Sequence, residues 1–456
     1  MDEVVVVGYG TQRKSDITSS VASVKSEDFV KGTVNDVGQL IQGKVAGLTV
    51  SQPSGDPTSG TQIRLRGAST ILGTNTNPLV LIDGIPGALN TVAPEDIESI
   101  DVLKDGSAAA IYGTRGTNGV ILVTTKRASG QYANNVEYKV SFSTQQITNS
   151  LDMLSAADYR RQIEAGTRDA SLDLGSSTDW LKEITRTPFS QVHNITFRGG
   201  NSKTNYIATA NYRALQGMFL KSNNNLLTGR VDINHNMLND KVKVNVGLLS
   251  RYGSYITTAD GGSFNGYTYR QALIRNPTSP VKDENGDWFE QTGNFNYENP
   301  LSRLYESDGE NRDQLSRFNT TITYRPIDAL KLSALGSYQR YNQTRGYAET
   351  KKHISSLRDG RNGYVSNGTR ETQERLLELT AQYSKILNNH DFTILGGYSY
   401  QDTYYRDYYM TNYDFPTDEF SYHNIGLGNA LSEGLATMGG FTEKTNLISF
   451  FTRGNY

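Results

Sequence analysis

From about Val136 onward the chain alternates apolar and polar residues with a period of two. Over 136–142 the set Val136, Tyr138, Val140 and Phe142 interleaves with Glu137, Lys139 and Ser141. Tyr206, Ala208, Ala210 and Tyr212 alternate with Ile207, Thr209 and Asn211, and Leu227, Gly229, Val231 and Ile233 with Thr228, Arg230, Asp232 and Asn234. The same beat recurs at 242–248, 318–324, 330–338, 377–383 and 392–400. A helix would spread these residues around its surface, whereas a strand sorts them onto two faces, so the pattern predicts strands. Roughly ten are expected, the last over 444–456.

Two connection lengths alternate between them. Short polar turns are expected at 198–202 and 238–240, and long Asn-, Gly- and aromatic-rich loops at 256–312, 344–370 and 403–443. Short turns at one end and long loops at the other match the wiring of an outer-membrane barrel. Loops of this length count against a soluble sandwich.

Residues 2–128 follow a different pattern, that of a compact α+β domain. Short apolar strands are predicted at Val4–Val7, Leu48–Ser51, 62–66, 78–82, 100–103 and Val120–Thr125. Asn35 is placed as the N-cap of a helix running toward Gln42, and Ser107 as the cap of 108–112, with Gly113 ending that turn.

Composition changes the picture in three ways. Apolar residues make up 36% of the 456 residues, and no run approaches the roughly 18 that a membrane helix needs, which leaves a barrel open. The net charge of −2 gives no sign of a nucleic-acid partner. The 28 tyrosines suit a headgroup level where ring and hydroxyl are both satisfied, and the absence of Cys excludes disulfides and thiolate metal sites. Met1 leads straight into a Val run, so an exported product is expected to have lost its leader.

Asp2-Glu3-Val4-Val5-Val6-Val7-Gly8-Tyr9-Gly10-Thr11-Gln12 resembles the TonB box and following residues of SusC-like TonB-dependent transporters (the SusC/RagA family). The stretch from Ile97-Glu98-Ser99-Ile100-Asp101-Val102-Leu103-Lys104-Asp105-Gly106-Ser107 to Tyr112-Gly113-Thr114-Arg115-Gly116-Thr117-Asn118-Gly119-Val120-Ile121 resembles that family's plug signature almost continuously. Ile63-Arg64-Leu65-Arg66-Gly67 and Leu79-Val80-Leu81-Ile82-Asp83-Gly84-Ile85-Pro86 fit the same plug. Arg275-Asn276-Pro277-Thr278-Ser279-Pro280 and Tyr297-Glu298-Asn299-Pro300-Leu301 resemble a loop region of the family.

The resemblance implies an α+β plug followed by an antiparallel transmembrane β-barrel, with residues 1–12 as TonB box and linker, 13–130 as plug and 131–456 as the N-terminal part of the barrel. A barrel of about ten strands would be too narrow to hold such a plug, and the family has about twenty-two, so the barrel is expected to be incomplete. The implied function is TonB-dependent import of a large nutrient across the outer membrane, an oligosaccharide first and an oligopeptide second. TonB with its inner-membrane energising complex, a SusD-like surface lipoprotein and outer-membrane lipid are the implied partners. A non-transporting receptor and a soluble β-rich glycan-binding or adhesive protein are the alternatives.

Asp2, Glu3, Val4, Val5, Val6 and Val7 are the expected TonB contact, because a β-branched segment at a chain end can add to a partner's sheet edge. On pattern alone, the Val run can equally be the first strand of the plug. Arg64, Arg66 and Arg115 are candidates for holding the plug to the wall, by pairing with strand carboxylates such as Glu137, Asp232 or Glu378, or are ordinary surface charges. Loop aromatics Phe264, Tyr267, Tyr269, Trp288, Phe289, Phe295 and Tyr297 can stack on substrate or form loop cores, and no substrate-binding residue is singled out.

No catalytic, metal or cofactor site is expected. The five histidines are scattered. Gly261-Gly262-Ser263-Phe264-Asn265 misses the nucleophile elbow, and the 113–119 stretch lacks the spacing and Lys of a phosphate loop. Asp283-Glu284-Asn285-Gly286-Asp287 reads as a hairpin turn rather than a calcium loop.

Overall fold

The computed structural model describes the chain except residues 1–3, 8–9, 14–20, 31, 33, 35, 53–54, 68–75, 105–109, 129–131, 149, 260–265, 292–296 and 389. Strands β1 (Val4–Val7) and β2 (Gly10–Arg13) pair only with each other. The Val run therefore stands outside the plug sheet. That sheet takes the order β3-β8-β9-β6-β7, built from β3 (Val21–Lys25), β6 (Leu79–Ile82), β7 (Ile85–Pro86), β8 (Ile97–Leu103) and β9 (Val120–Thr125). β4 (Leu48–Ser51) and β5 (Gln62–Leu65) form a separate ladder.

The plug motifs have local reasons. Ile82 faces Ile85 across Asp83 and Gly84, whose φ values of 54° and 87° make a two-residue turn of the kind that Asp-Gly favours. Gly119 has φ 87°, and a Cβ there would come within 2.2 Å of Leu65 and 3.1 Å of the Leu103 carbonyl. The core gathers Ile41, Ile97, Ile100, Val102, Ile121 and Val123, all nearly inaccessible. Asp36, with Gln39 reciprocating, caps a short 3-10 helix, Val37–Ile41. The expected cap Asn35 lies outside the described residues, as does Ser107. The second helical piece, Ala110–Gly116, is broken at Gly113, whose φ of 60° and ψ of −146° are non-helical, so the first turn ends there and a second short turn follows.

The second sheet is a ten-stranded antiparallel meander, β10 (Tyr132–Thr144), β11 (Phe189–Gly200), β12 (Thr204–Gln216), β13 (Asn223–Met237), β14 (Val242–Ile256), β15 (Ser307–Ile327), β16 (Leu330–Glu349), β17 (Tyr364–Leu387), β18 (His390–Tyr413) and β19 (Thr437–Asn455). β10 and β19 end the order, so the sheet is an incomplete barrel wall. Its two faces are inverted relative to a soluble protein. Tyr138, Phe197, Leu227, Leu248, Phe318 and Leu379 are exposed, whereas Asn211, Arg213, Asp232, Asn245 and Asp313 are buried against the plug side. Among the described residues no helix is long and apolar enough to cross a membrane.

The long loops are shorter than their composition indicates, because residues 307–312, 344–349, 364–370, 403–413 and 437–443 are strand. In those strand ends polar residues and tyrosines fall on both faces, so the alternation that marks a half-apolar strand fades while the ladder continues. What remains of the loops is packed. Helices α1 (Ala156–Glu164) and α2 (Trp180–Glu183) lie in the connection from β10 to β11, and α3 (Gly266–Ile274), α4 (Pro300–Tyr305) and α5 (Ile354–Asp359) lie in the long loops. Trp180, Ile184, Ala272, Leu301 and Leu304 form a core into which Tyr269 and Trp288 pack. These two loop aromatics are therefore core; Phe264 and Phe295 lie outside the described residues.

Candidate functional site

The inward face of the wall meets the plug through hydrogen bonds. Arg213 on β12, only 3% exposed, spans both carboxylate oxygens of plug Glu95 at 2.9 Å and also donates to the Val34 carbonyl. Asn211 donates to Glu95 at 3.1 Å, and Thr209 to Asp96 at 3.0 Å. One strand over, Arg230 donates to Thr125 Oγ1 at 2.6 Å and to the Lys126 carbonyl at 3.0 Å. The strand period makes this cluster, since Thr209, Asn211 and Arg213 share one face of β12, and Arg230 lies opposite Thr209. Burial pushes the Asp96 carboxyl above its ordinary range, against the pull of Arg230. Burial also lowers Lys126, whose ammonium donates to the Glu95 carbonyl at 2.7 Å. Such a junction holds while dry and weakens once water reaches it, because water competes for every bond.

The sequence-predicted arginines fall differently. Arg115 Nη1 donates to Gln401 Oε1 on β18 at 2.7 Å, which joins plug to wall through an amide. Arg64 lies exposed on β5, and Arg66 follows it with φ 59°. Among the described residues Glu137 binds Lys139 and Arg198, and Asp232 faces Arg230 and Asn245. At the Arg213 and Arg230 contacts the polarity runs the other way, with wall cations holding plug acceptors. Arg230 stands out in the sequence as an inward position, but nothing local marks Glu95 and Asp96 as its neighbours' partners. Asp2 and Glu3 lie outside the described residues, and Val4–Val7 sits in its hairpin.

Beyond the plug, toward the long loops, lies a cavity of about 1020 Å³ between plug and wall. Asn90 and Arg115 line it from the plug, and Tyr255, Tyr341 and Glu374 from the wall, beside the Arg251–Asp313 ion pair at 3.3 Å. Amides, hydroxyls, two aromatic rings and both charge signs thus line it. Above it, the loop motifs knit the rim together. Arg275 donates to the Tyr297 carbonyl and, at 2.6 Å, to that of Phe289. Asn299 caps α4 and donates to the Val281 carbonyl at 2.8 Å. Among the described residues no group of His, Asp and Glu is arranged to hold a metal. The 283–287 stretch is a turn, with Asp283 Oδ1 accepting from the backbone of Asn285 and Asp287.

Residues 13–120 match the TonB-dependent receptor plug domain. Over its whole length the chain is 31% identical to TonB-dependent receptor P3 of Formosa agariphila and 29% identical to TonB-dependent receptor SusC of Bacteroides thetaiotaomicron, covering 45% and 47% of those proteins. It thus spans about half the length of the curated relatives it matches. The open-open state of the RagAB peptide importer superposes with a TM-score of 0.84 at 23% identity, over 100% of this chain and 54% of that one, a likeness of fold.

Proposed function

Since the chain is a SusC-like TonB-dependent receptor in its plug and its ten wall strands, we propose that it imports a large polar nutrient across the outer membrane, with the plug as gate. Residues 1–12 serve as TonB contact and linker, 13–130 as the gate and 131–456 as wall. The observation that carries this reading is the inverted wall, apolar outward and polar toward a plug that it grips by hydrogen bonds. An apolar outer face belongs in lipid, and every backbone group of an internal strand is satisfied by its neighbours.

Energy must arrive from the inner membrane, because no nucleotide or ion gradient is held across a porous outer membrane. TonB takes hold of Asp2–Val7 by strand addition; a two-stranded hairpin is marginal by itself, so β1 can leave β2 at little cost. The pull then wets the junction at Glu95, Asp96 and Thr125. Cargo waits in the cavity beneath a SusD-like lid. Tyr255 and Tyr341 offer ring faces, and Asn90 and Gln339 offer amides, which favours an oligosaccharide.

The test is uptake of defined glycans and peptides by a strain whose own gene is deleted, complemented with the full-length product or its Val5→Pro variant. Glycan uptake lost in the variant at equal expression supports the reading. Peptide uptake alone replaces the substrate class, and uptake unaffected by Val5→Pro contradicts the TonB contact.

A further inference from the structure

On β16 to β19 the outward face of the wall turns from apolar to charged over three successive rows. At its foot the outward residues on β16, β17, β18 and β19 are Tyr338, Leu377, Tyr400 and Ile448, and Tyr404, Tyr408, Met410 and Met438 face outward higher up. Arg375 and Asp402 share the row of Tyr338; one outward position further toward the long loops come Arg340 and Lys444, with Gln373 and Tyr404 between them, and one further still Glu371 and Arg406. Glu371 is shared by Arg340 and Arg406, each at 2.7 Å, and Lys444 reaches Asp402 at 3.2 Å. Four cations thus face two carboxylates, whereas the whole chain carries −2. Arg340 and Lys444 are 51% and 58% exposed.

This excess is local. On the row of Arg340, β11 to β14 present Ile195, Ala210, Gly229 and Ser250, and on the row of Glu371 they present His193, Tyr212, Leu227 and Tyr252, with no Asp, Glu, Lys or Arg among them. A general solvated rim would have spread its charges over all strands. One outward position above Glu371 and Arg406 the wall also becomes concave. Arg312, Thr344 and Tyr408 floor a recess of about 380 Å³ roofed by Tyr422 and His423. The roof is fixed, because Asn367 Nδ2 donates to the Tyr422 carbonyl at 3.0 Å, Ser421 Oγ to Asp308 at 2.8 Å, and the Tyr422 ring covers Gly346.

We propose that this face binds a phosphorylated glycolipid of the outer leaflet. Its acyl chains lie along the apolar rows below, its phosphates meet the guanidinium and ammonium groups of Arg340, Arg375 and Lys444, and its sugars enter the recess against Tyr408 and Tyr422. The chemistry fits at each level: guanidinium forks match phosphate oxygens, and the interface is where a charged headgroup and a cationic side chain share one depth. The proposal rests on the outer-membrane reading.

The test uses the full-length product extracted in mild detergent, alone and as Arg340→Gln with Arg375→Gln. Native mass spectrometry is expected to find phosphorylated glycolipid on the wild type and at least tenfold less on the variant, with both proteins in the outer-membrane fraction. Adding the glycolipid should raise the wild-type Tm, and its dephosphorylated form or inorganic phosphate at the same concentration should not. Equal retention by the variant, equal stabilisation by the dephosphorylated lipid or by inorganic phosphate, or a second copy of the chain seated on this face would overturn the proposal. A membrane-resident protein with no bound lipid sinks this proposal alone, whereas a wild type found in the soluble fraction sinks the import reading with it.

Discussion

Arg213 and Arg230 show how little apolar contact the gate needs. Each is nearly inaccessible and spends its donors on plug oxygens. Glu95→Ala would leave the Arg213 guanidinium with its main partner gone, a change that costs about 3–5 kcal/mol when the charge stays buried. The plug of that variant is expected to be cut by added protease at least tenfold faster than wild type, with the wall intact; unchanged cleavage would show that the junction carries no load. Gly119 is a second point of failure. Its φ of 87° and the close approach of Leu65 and Leu103 leave no room for a side chain, so Gly119→Val should destabilise the plug by about 2 kcal/mol or more, read as loss of the folded plug in hydrogen exchange. At the rim, burial lowers His353 from an ordinary 6.5 to about 4, with Glu349 pulling the other way. His353 Nδ1 meets Ser355 Oγ at 2.7 Å and accepts from the Ser355 amide, which needs that nitrogen unprotonated. The folded pKa is below the unfolded one, so this cap stabilises above about pH 6.5 and the contribution is lost as pH falls toward 4. Amide exchange over 349–361 should quicken through that window in the wild type and lose its pH step in His353→Asn.

Among the elements, strands that alternate were legible and strands that do not were not. Thr209, Asn211 and Arg213 could be read as one face of β12 because apolar neighbours separate them. The outer ends of β17 and β18, each 24 residues long, could not, since Glu371, Gln373, Arg406 and Asp407 give no apolar beat. In the plug, Val21–Lys25 and Ile85–Pro86 were missed, being short and lacking a strand pattern of their own. The candidate site was half legible for the same reason. Period two says which residues face inward, but the partner across the lumen is set by tertiary placement. Leu379 on β17 tests the outward assignment, facing Tyr398 and Ala334 in an apolar row. Leu379→Lys should cost about 2–4 kcal/mol if that row lies at the lipid midplane. It should lower the yield of membrane-inserted protein, and insertion at wild-type yield would place the row in water.

For the molecule as a whole, the wall holds the plug through a polar junction and leaves a cavity between the two toward the long loops. Polar sealing suits a gate that opens and recloses. Each bond to a charged group contributes only about 1.5–3 kcal/mol net, so a pull that admits water exchanges protein partners for water without exposing apolar core. The gate reading therefore requires the plug to part from the wall at Thr209 and Asp96, whose side chains touch at 3.0 Å. The chain has no cysteine of its own, so Thr209→Cys with Asp96→Cys places a single reversible bond across that contact. Substrate uptake by cells carrying the oxidised double variant should stop and should return on reduction, while each single variant transports in both states. Uptake that continues with the bond intact would contradict the plug as a moving gate.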